Sequence, residues 1–138
     1  MKILLVNGVN MATLGTREPG IYGTVTLKEL ENIVTDYAAK KGVEVECFQS
    51  DIEGEICSKI TTTDCDAIII NAGAYSHYSI AIRDALSAAK KPCVEVHISN
   101  LFAREKFRSE SVIAPVANGV ITGFGIKGYL LAVDYFTL

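Results

Sequence analysis

The chain has 138 residues, 49% of them hydrophobic and 21% charged, with a formal net charge of −3. That length suits one domain, so residues 1–138 read as a single unit with room for one packed core. Mean hydropathy of +0.28 is high, yet no apolar run approaches the ~20 residues that span a bilayer, which argues against a membrane protein. A pI near 5.4 and the lack of any basic run exclude the electrostatic footprint of a nucleic-acid binder. The four cysteines (Cys47, Cys57, Cys65, Cys93) form no CxxC pair and read as buried free thiols in preference to disulfides. The first apolar run stops at Asn7-Gly8, too short for a secretory leader, so the cytoplasm is the expected location.

The predicted elements alternate along the whole chain. A strand over 3–6 comes first, followed by residues 8–25, which have neither helical nor strand periodicity and read as a functional loop or lid. Leu27, Leu30, Val34 and Tyr37 then repeat at helical spacing, with Thr26 and Glu29 as a capping box and Gly42 beyond the end. A strand over 43–48 precedes a helix over about 54–62, and a strand over 67–70 precedes a helix over 79–90 that Pro92 terminates. Strands at 93–96 and 120–121 and a helix at about 128–136 complete the series. The strands are β-branched and nearly continuous, the pattern of a parallel sheet buried on both faces. Five of them alternating with helices imply an α/β flavodoxin-like doubly wound sandwich with strand order 2-1-3-4-5.

In such a sheet, ligands bind beyond the carboxyl ends of the strands. There the first strand offers Asn7 and Asn10, the third Asn71 and the loop through His77, and the fourth His97, Ile98 and Ser99. Both histidines of the chain therefore fall on one rim, although the Asn and Ser residues also suit turn capping. Glu95 lies two residues from His97 on the same face, where it either orients that ring or forms a structural salt bridge. Within the long loop, Arg17 precedes Tyr22 by five residues. A free tyrosine is only ~0.1% phenolate at pH 7, and a close guanidinium raises that fraction roughly ten- to a thousandfold. The alternative is an ordinary loop tyrosine packed on the body. Arg104 and Arg108, four apart, either receive substrate oxygens or pair with Glu105 and Glu110.

Gly123-Phe124-Gly125-Ile126-Lys127-Gly128 matches GxGxxG, but the acidic residue of a dinucleotide site would lie past the last residue, so it reads as a tight strand-to-helix turn. No P-loop or GxSxG elbow is present, and two histidines without CxxC make a structural zinc improbable.

The sequence does resemble one family closely, the type II 3-dehydroquinate dehydratases. The shared segments run from Asn7-Gly8-Val9-Asn10 through Leu14-Gly15-Thr16-Arg17-Glu18-Pro19 to Tyr22-Gly23, then Phe48-Gln49-Ser50, Asn71-Ala72-Gly73-Ala74-Tyr75-Ser76-His77 and Arg83-Asp84-Ala85. They continue with Glu95-Val96-His97-Ile98-Ser99-Asn100, Ala103-Arg104-Glu105, Phe107-Arg108 and Gly123-Phe124-Gly125. The resemblance implies a shikimate- or quinate-pathway lyase that eliminates water from 3-dehydroquinate through an enolate, with no cofactor, metal or lysine imine. It implies Tyr22 as base, Arg17 favouring its phenolate, His97 as general acid backed by Glu95, and Asn10 steadying the enolate through a water. Asn71, His77 and Arg108 match substrate-hydroxyl contacts, Ile98 and Ser99 a carboxylate-binding turn, and Arg104 a lid-associated arginine. Asp84 matches a residue that reaches a neighbouring subunit's site, since the family assembles as trimers within a dodecamer. Val9 replaces the usual Pro, Met11-Ala12-Thr13 follow Asn10, Asp51-Ile52 replace Asn-His and Ala72 replaces Pro, changes that bear on lid order and rate. A non-catalytic flavodoxin-like binding module is the alternative.

Overall fold

A computed structural model describes residues 1–138. Five parallel strands, β1 (Lys2–Asn7), β2 (Glu44–Gln49), β3 (Ala67–Asn71), β4 (Cys93–His97) and β5 (Gly119–Thr122), form one sheet in the order β2-β1-β3-β4-β5. The chain reverses direction of growth after β2, so the gap between β1 and β3 is the topological switch point, and ligand sites belong beside it. Helices α1 (Pro19–Tyr22), α2 (Leu27–Ala39), α3 (Glu53–Thr62), α4 (Ile80–Ala89) and α5 (Lys127–Thr137) make up the rest of the regular structure, with short 3₁₀ turns between them.

Successive strand side chains point to opposite faces, and this divides the core in two. Ile3, Leu5, Ile69, Val94 and Val96 pack with Leu30, Val34, Ala38, Tyr129, Ala132 and Val133 of α2 and α5. Leu4, Val6, Ile68 and Ile70 pack on the other face with Ile56 and Ile60 of α3 and Ile82, Ala85 and Leu86 of α4. The three central strands are buried except at Lys2, whereas β2 and β5 are only partly covered. The expectation of strands buried on both faces therefore holds for β1, β3 and β4 and is corrected for the two edge strands.

Local signals account for the element ends. Thr26 Oγ1 accepts from the Glu29 amide at 3.2 Å and the Glu29 carboxylate accepts from the Thr26 amide at 3.4 Å, so the capping box forms as read. Ser79 caps α4 by accepting from the Ile82 amide at 3.1 Å, which moves that helix start from residue 79 to Ile80. Gly123 (φ +95°) and Gly125 (φ +60°) make the sharp β5–α5 turn, and a Cβ on Gly123 would sit 3.1 Å from the Asn100 side chain. The GxGxxG segment is thus a turn. All four cysteines are free.

The loop over 8–25 is more ordered than its lack of periodicity suggests. It contains the 3₁₀ turn Met11–Thr13 and the single helical turn α1. Thr13 Oγ1 donates to the Asn10 carbonyl at 2.7 Å and Thr16 Oγ1 to the Thr13 carbonyl at 3.0 Å. Pro19 opens α1 and Gly23 (φ +83°) closes it. Met11 and Leu14 anchor the loop in the core.

Candidate active site

The carboxyl ends of β1, β3 and β4 surround a cavity of about 200 Å³. Asn10, Arg17 and Tyr22 line it from the long loop, Asn71 and His77 from the β3–α4 connection, and His97, Ser99, Arg104 and Arg108 from the segment after β4. Nine of the twelve residues singled out in the sequence therefore meet in one place. Of the other three, Glu95 is fully buried behind His97, and Ile98 is buried beside it without lining the cavity. Asp84 stands exposed on α4, away from this chain's own cavity.

Tyr22 is held by two cations. Arg104 Nη1 donates to its phenol oxygen at 2.9 Å and Arg17 Nη2 at 3.4 Å, and the two guanidinium carbons lie 5.3 and 4.7 Å from the ring centroid. Two positively charged donors thus converge on one oxygen. The expectation assigned this work to Arg17 alone; Arg104 makes the shorter bond. Arg104 Nη1 also donates to Ser99 Oγ at 3.2 Å, tying the loop tyrosine to the turn after β4. The expected helical turn carrying both Arg104 and Arg108 is two separate 3₁₀ turns, Leu101–Ala103 and Lys106–Ser109, with Arg104 extended between them. Arg108 reaches the cavity while its Nε donates to Glu105 at 2.9 Å, and that guanidinium holds the Glu105 carboxyl below the usual carboxylate range.

The histidines are oriented from behind. Glu95 is bonded to His97 Nε2, which puts the ring proton on Nε2 and leaves Nδ1 as the nitrogen without a protein partner. His77 Nδ1 donates to the Glu110 carbonyl at 2.7 Å, which leaves its Nε2. The two rings are nearly parallel, 17° apart with centroids at 6.4 Å. Glu95 thus contacts the ring in the way both readings require, and Glu110 meets His77 through its backbone carbonyl.

Several supporting residues escaped the sequence reading. Tyr129 of α5, wholly buried, donates to Asn7 Oδ1 at 2.7 Å and accepts from Asn71 Nδ2 at 2.9 Å, while Asn71 Oδ1 accepts from the Gly73 amide at 3.1 Å. This fixes the Asn71 amide before any ligand arrives. Asp51, one of the departures from the family pattern, accepts from the Asn10 amide at 2.9 Å and from Gln49 Nε2 at 3.1 Å. It holds Asn10 at its left-handed φ of 68°, where Val9 provides no proline restraint. Gly8 is required here, since a Cβ would lie 2.4 Å from the Ala72 carbonyl oxygen. Ser111 Oγ contacts both oxygens of Glu95 at 2.8 Å. Tyr129, Asp51 and Ser111 lie in none of the shared segments, and each acts on a partner more than fifteen residues away.

A phenol held by two guanidinium groups and a carboxylate-backed imidazole, lining one polar cavity at a topological switch point, define an α/β protein built for acid–base chemistry on a small polar molecule. The chain belongs to the class II dehydroquinase family, whose description, Dehydroquinase class II, matches residues 1–137. It is 51% identical over 135 residues to a 3-dehydroquinate dehydratase of Thermotoga neapolitana, covering 98% of this chain and 93% of that one. It is 53% identical over 136 residues to a 3-dehydroquinate dehydratase of Prochlorococcus marinus strain MIT 9215, covering 97% and 92%. Among solved structures, the type II dehydroquinase of Butyrivibrio crossotus superposes with a TM-score of 0.96 at 49% identity, covering 100% of this chain and 98% of that one.

Proposed function

We infer that the chain is a 3-dehydroquinate dehydratase, a hydro-lyase converting 3-dehydroquinate to 3-dehydroshikimate, with Tyr22 as base and His97 as acid. The observation that carries the residue assignment is the pair of guanidinium donors on the Tyr22 oxygen, in the cavity that His97 also lines. The proton to be removed lies α to a ketone and the hydroxyl to be lost lies β to it, so the electrons pass through an enolate. Tyr22 phenolate takes the α proton. Asn10, at the cavity edge, steadies the enolate oxygen through a water. His97, as an imidazolium held by Glu95, delivers the Nδ1 proton to the departing hydroxyl, and water leaves. Base and acid must start in opposite protonation states, and the two arginines on one and the carboxylate on the other favour that arrangement.

Substrate placement follows from the remaining groups. Asn71, His77 and Arg108 bind ring hydroxyls, while Ser99 and the backbone at Ile98 bind the carboxylate, with Arg104 bridging that turn to the base. Asp84 is assigned to a neighbouring subunit's site, consistent with its exposure, and trimers within a dodecamer are part of the proposal. Phe102, Phe107 and Phe124 are 73, 60 and 63% exposed, which supports association. No helix is long and apolar enough to cross a membrane, and four free thiols suit a reducing cytoplasm. Nothing in the fold, cavity or relatives favours the non-catalytic alternative.

The test is to add 3-dehydroquinate to the purified protein and follow the ultraviolet absorbance of the conjugated enone. A rise at neutral pH is expected, as is full activity after treatment with borohydride and substrate, because no imine forms. No rise at any pH, or inactivation with a modified lysine, contradicts the reading. Light scattering on the same sample measures the assembly.

A further inference from the structure

We propose that Ser111 is a positioning residue that locks Glu95 and, through it, the ring of His97. The kinetic part of this proposal rests on the dehydratase reading; the geometric part does not. Ser111 Oγ accepts from the Ile113 amide at 3.2 Å and from the Ala114 amide at 3.1 Å. Those two donors occupy both lone pairs, so the hydroxyl hydrogen has one direction left, toward the carboxylate of Glu95, whose two oxygens lie at 2.8 Å. Glu95 is fully buried and its Oε2 also accepts from His97 Nε2, so the backbone amides fix Ser111, and Ser111 and the imidazole both donate to the same carboxylate.

Ser111 itself cannot drift. The residue before it, Glu110, is fixed by His77 Nδ1, and the residue after it is fixed twice: the Val112 amide donates to Ser76 O at 2.8 Å and the Val112 carbonyl accepts from Arg83 Nη1 at 3.3 Å. Behind Glu95 lies a second cavity of about 320 Å³, lined by Ser109, Ser111, Val120 and Thr122. Glu95 also lines that space, and the Ser111 hydroxyl is what holds its carboxylate against His97. Without it, Glu95 gains freedom to rotate, and Nε2 loses its fixed acceptor.

The experiment compares wild type, Ser111→Ala, Ser111→Thr and Ser111→Cys by ¹⁵N spectroscopy of the histidine rings without substrate and by steady-state kinetics. With only two histidines in the chain, the spectrum is simple to assign. At a pH where the ring is neutral, wild type is expected to show His97 as a single tautomer protonated at Nε2. Ser111→Ala is expected to give mixed tautomers and to lower kcat about tenfold or more, the scale of a lost bond to a charged group, with KM nearly unchanged. Ser111→Thr keeps the hydroxyl and is expected to restore both, and Ser111→Cys, a weaker donor, to fall between. Unchanged His97 spectra and kcat in Ser111→Ala would overturn the proposal. So would a folded Ser111→Thr that behaves like Ser111→Ala, or, should Ser111→Ala not fold, a Ser111→Cys indistinguishable from wild type. If wild type itself turns over no 3-dehydroquinate, the dehydratase reading fails while the spectra still decide the role of Ser111.

Discussion

Replacing Arg104 with alanine should slow the chemical step about as much as replacing Arg17. The two guanidinium nitrogens lie 2.9 and 3.4 Å from the Tyr22 oxygen. At those separations a pair of unit charges interacts by about 5–6 kcal/mol at an effective dielectric constant near 20, and by little more than about 1 kcal/mol in bulk water. Tyr22 and both arginines are half-buried, which places each contribution between these limits, at about 2–3 kcal/mol. That is roughly a 30- to 150-fold loss in kcat for each arginine removed. The difference in distance alters the attraction by under about a fifth, so the two variants should be comparable. The assay is kcat and KM from the enone absorbance for Arg17→Ala, Arg104→Ala and, as a control for the substrate-binding turn, Ser99→Ala. If Arg104→Ala raised KM and left kcat intact, Arg104 would be a substrate clamp alone and the two-cation argument would be wrong.

Two further outcomes follow from buried groups. Tyr129→Phe removes both bonds joining Asn7 to Asn71 and strands their buried amides, at a cost of roughly 2–4 kcal/mol. The urea midpoint should fall and kcat with it, because Asn71 loses its fixed orientation; an unchanged midpoint would mean the network contributes nothing. Burial pushes the Cys93 thiol from its ordinary 9.0 up to about 12, and pushes the Tyr129 phenol upward as well. Above pH 9 the unfolded chain therefore releases protons that the folded chain retains, so these groups leave stability untouched below pH 9 and reduce it as pH rises toward 12. The slope approaches about 1.4 kcal/mol per pH unit for Cys93, making the protein about 2 kcal/mol less stable at pH 10.5 than at pH 8. A midpoint flat across that interval would contradict the assignment.

The framework of the fold was readable because its signals are local. The β-branched runs, the Thr26–Glu29 capping box and Pro92 act within a few residues, and alternation of strand and helix then dictates a parallel sheet. The rim residues were readable for the same reason: Asn71 and His97 end strands, and the sheet order brings those ends together. Edge exposure of β2 and β5 was not, since strand composition reports on β-propensity and says little about what covers a strand. The 8–25 loop hid its order because side chain–backbone bonds from Thr13 and Thr16 have no period. Ser111, Tyr129 and Asp51 were missed because their roles exist only through contacts with Glu95, Asn7 and Asn10, which lie 16, 122 and 41 residues away. The spacing of Arg104 and Arg108 suggests one helical face, but the backbone is extended at Arg104 and its guanidinium reaches Tyr22 on the 8–25 loop.

The sharpest question is whether the Tyr22 oxygen removes the proton. Tyr22→Phe deletes one atom and leaves the rest of the cavity lining in place. Turnover of 3-dehydroquinate and calorimetric binding of a non-reacting substrate analogue should be measured on the same preparation. Loss of turnover with binding retained is the expected result; turnover within a few-fold of wild type would show that another group takes the proton.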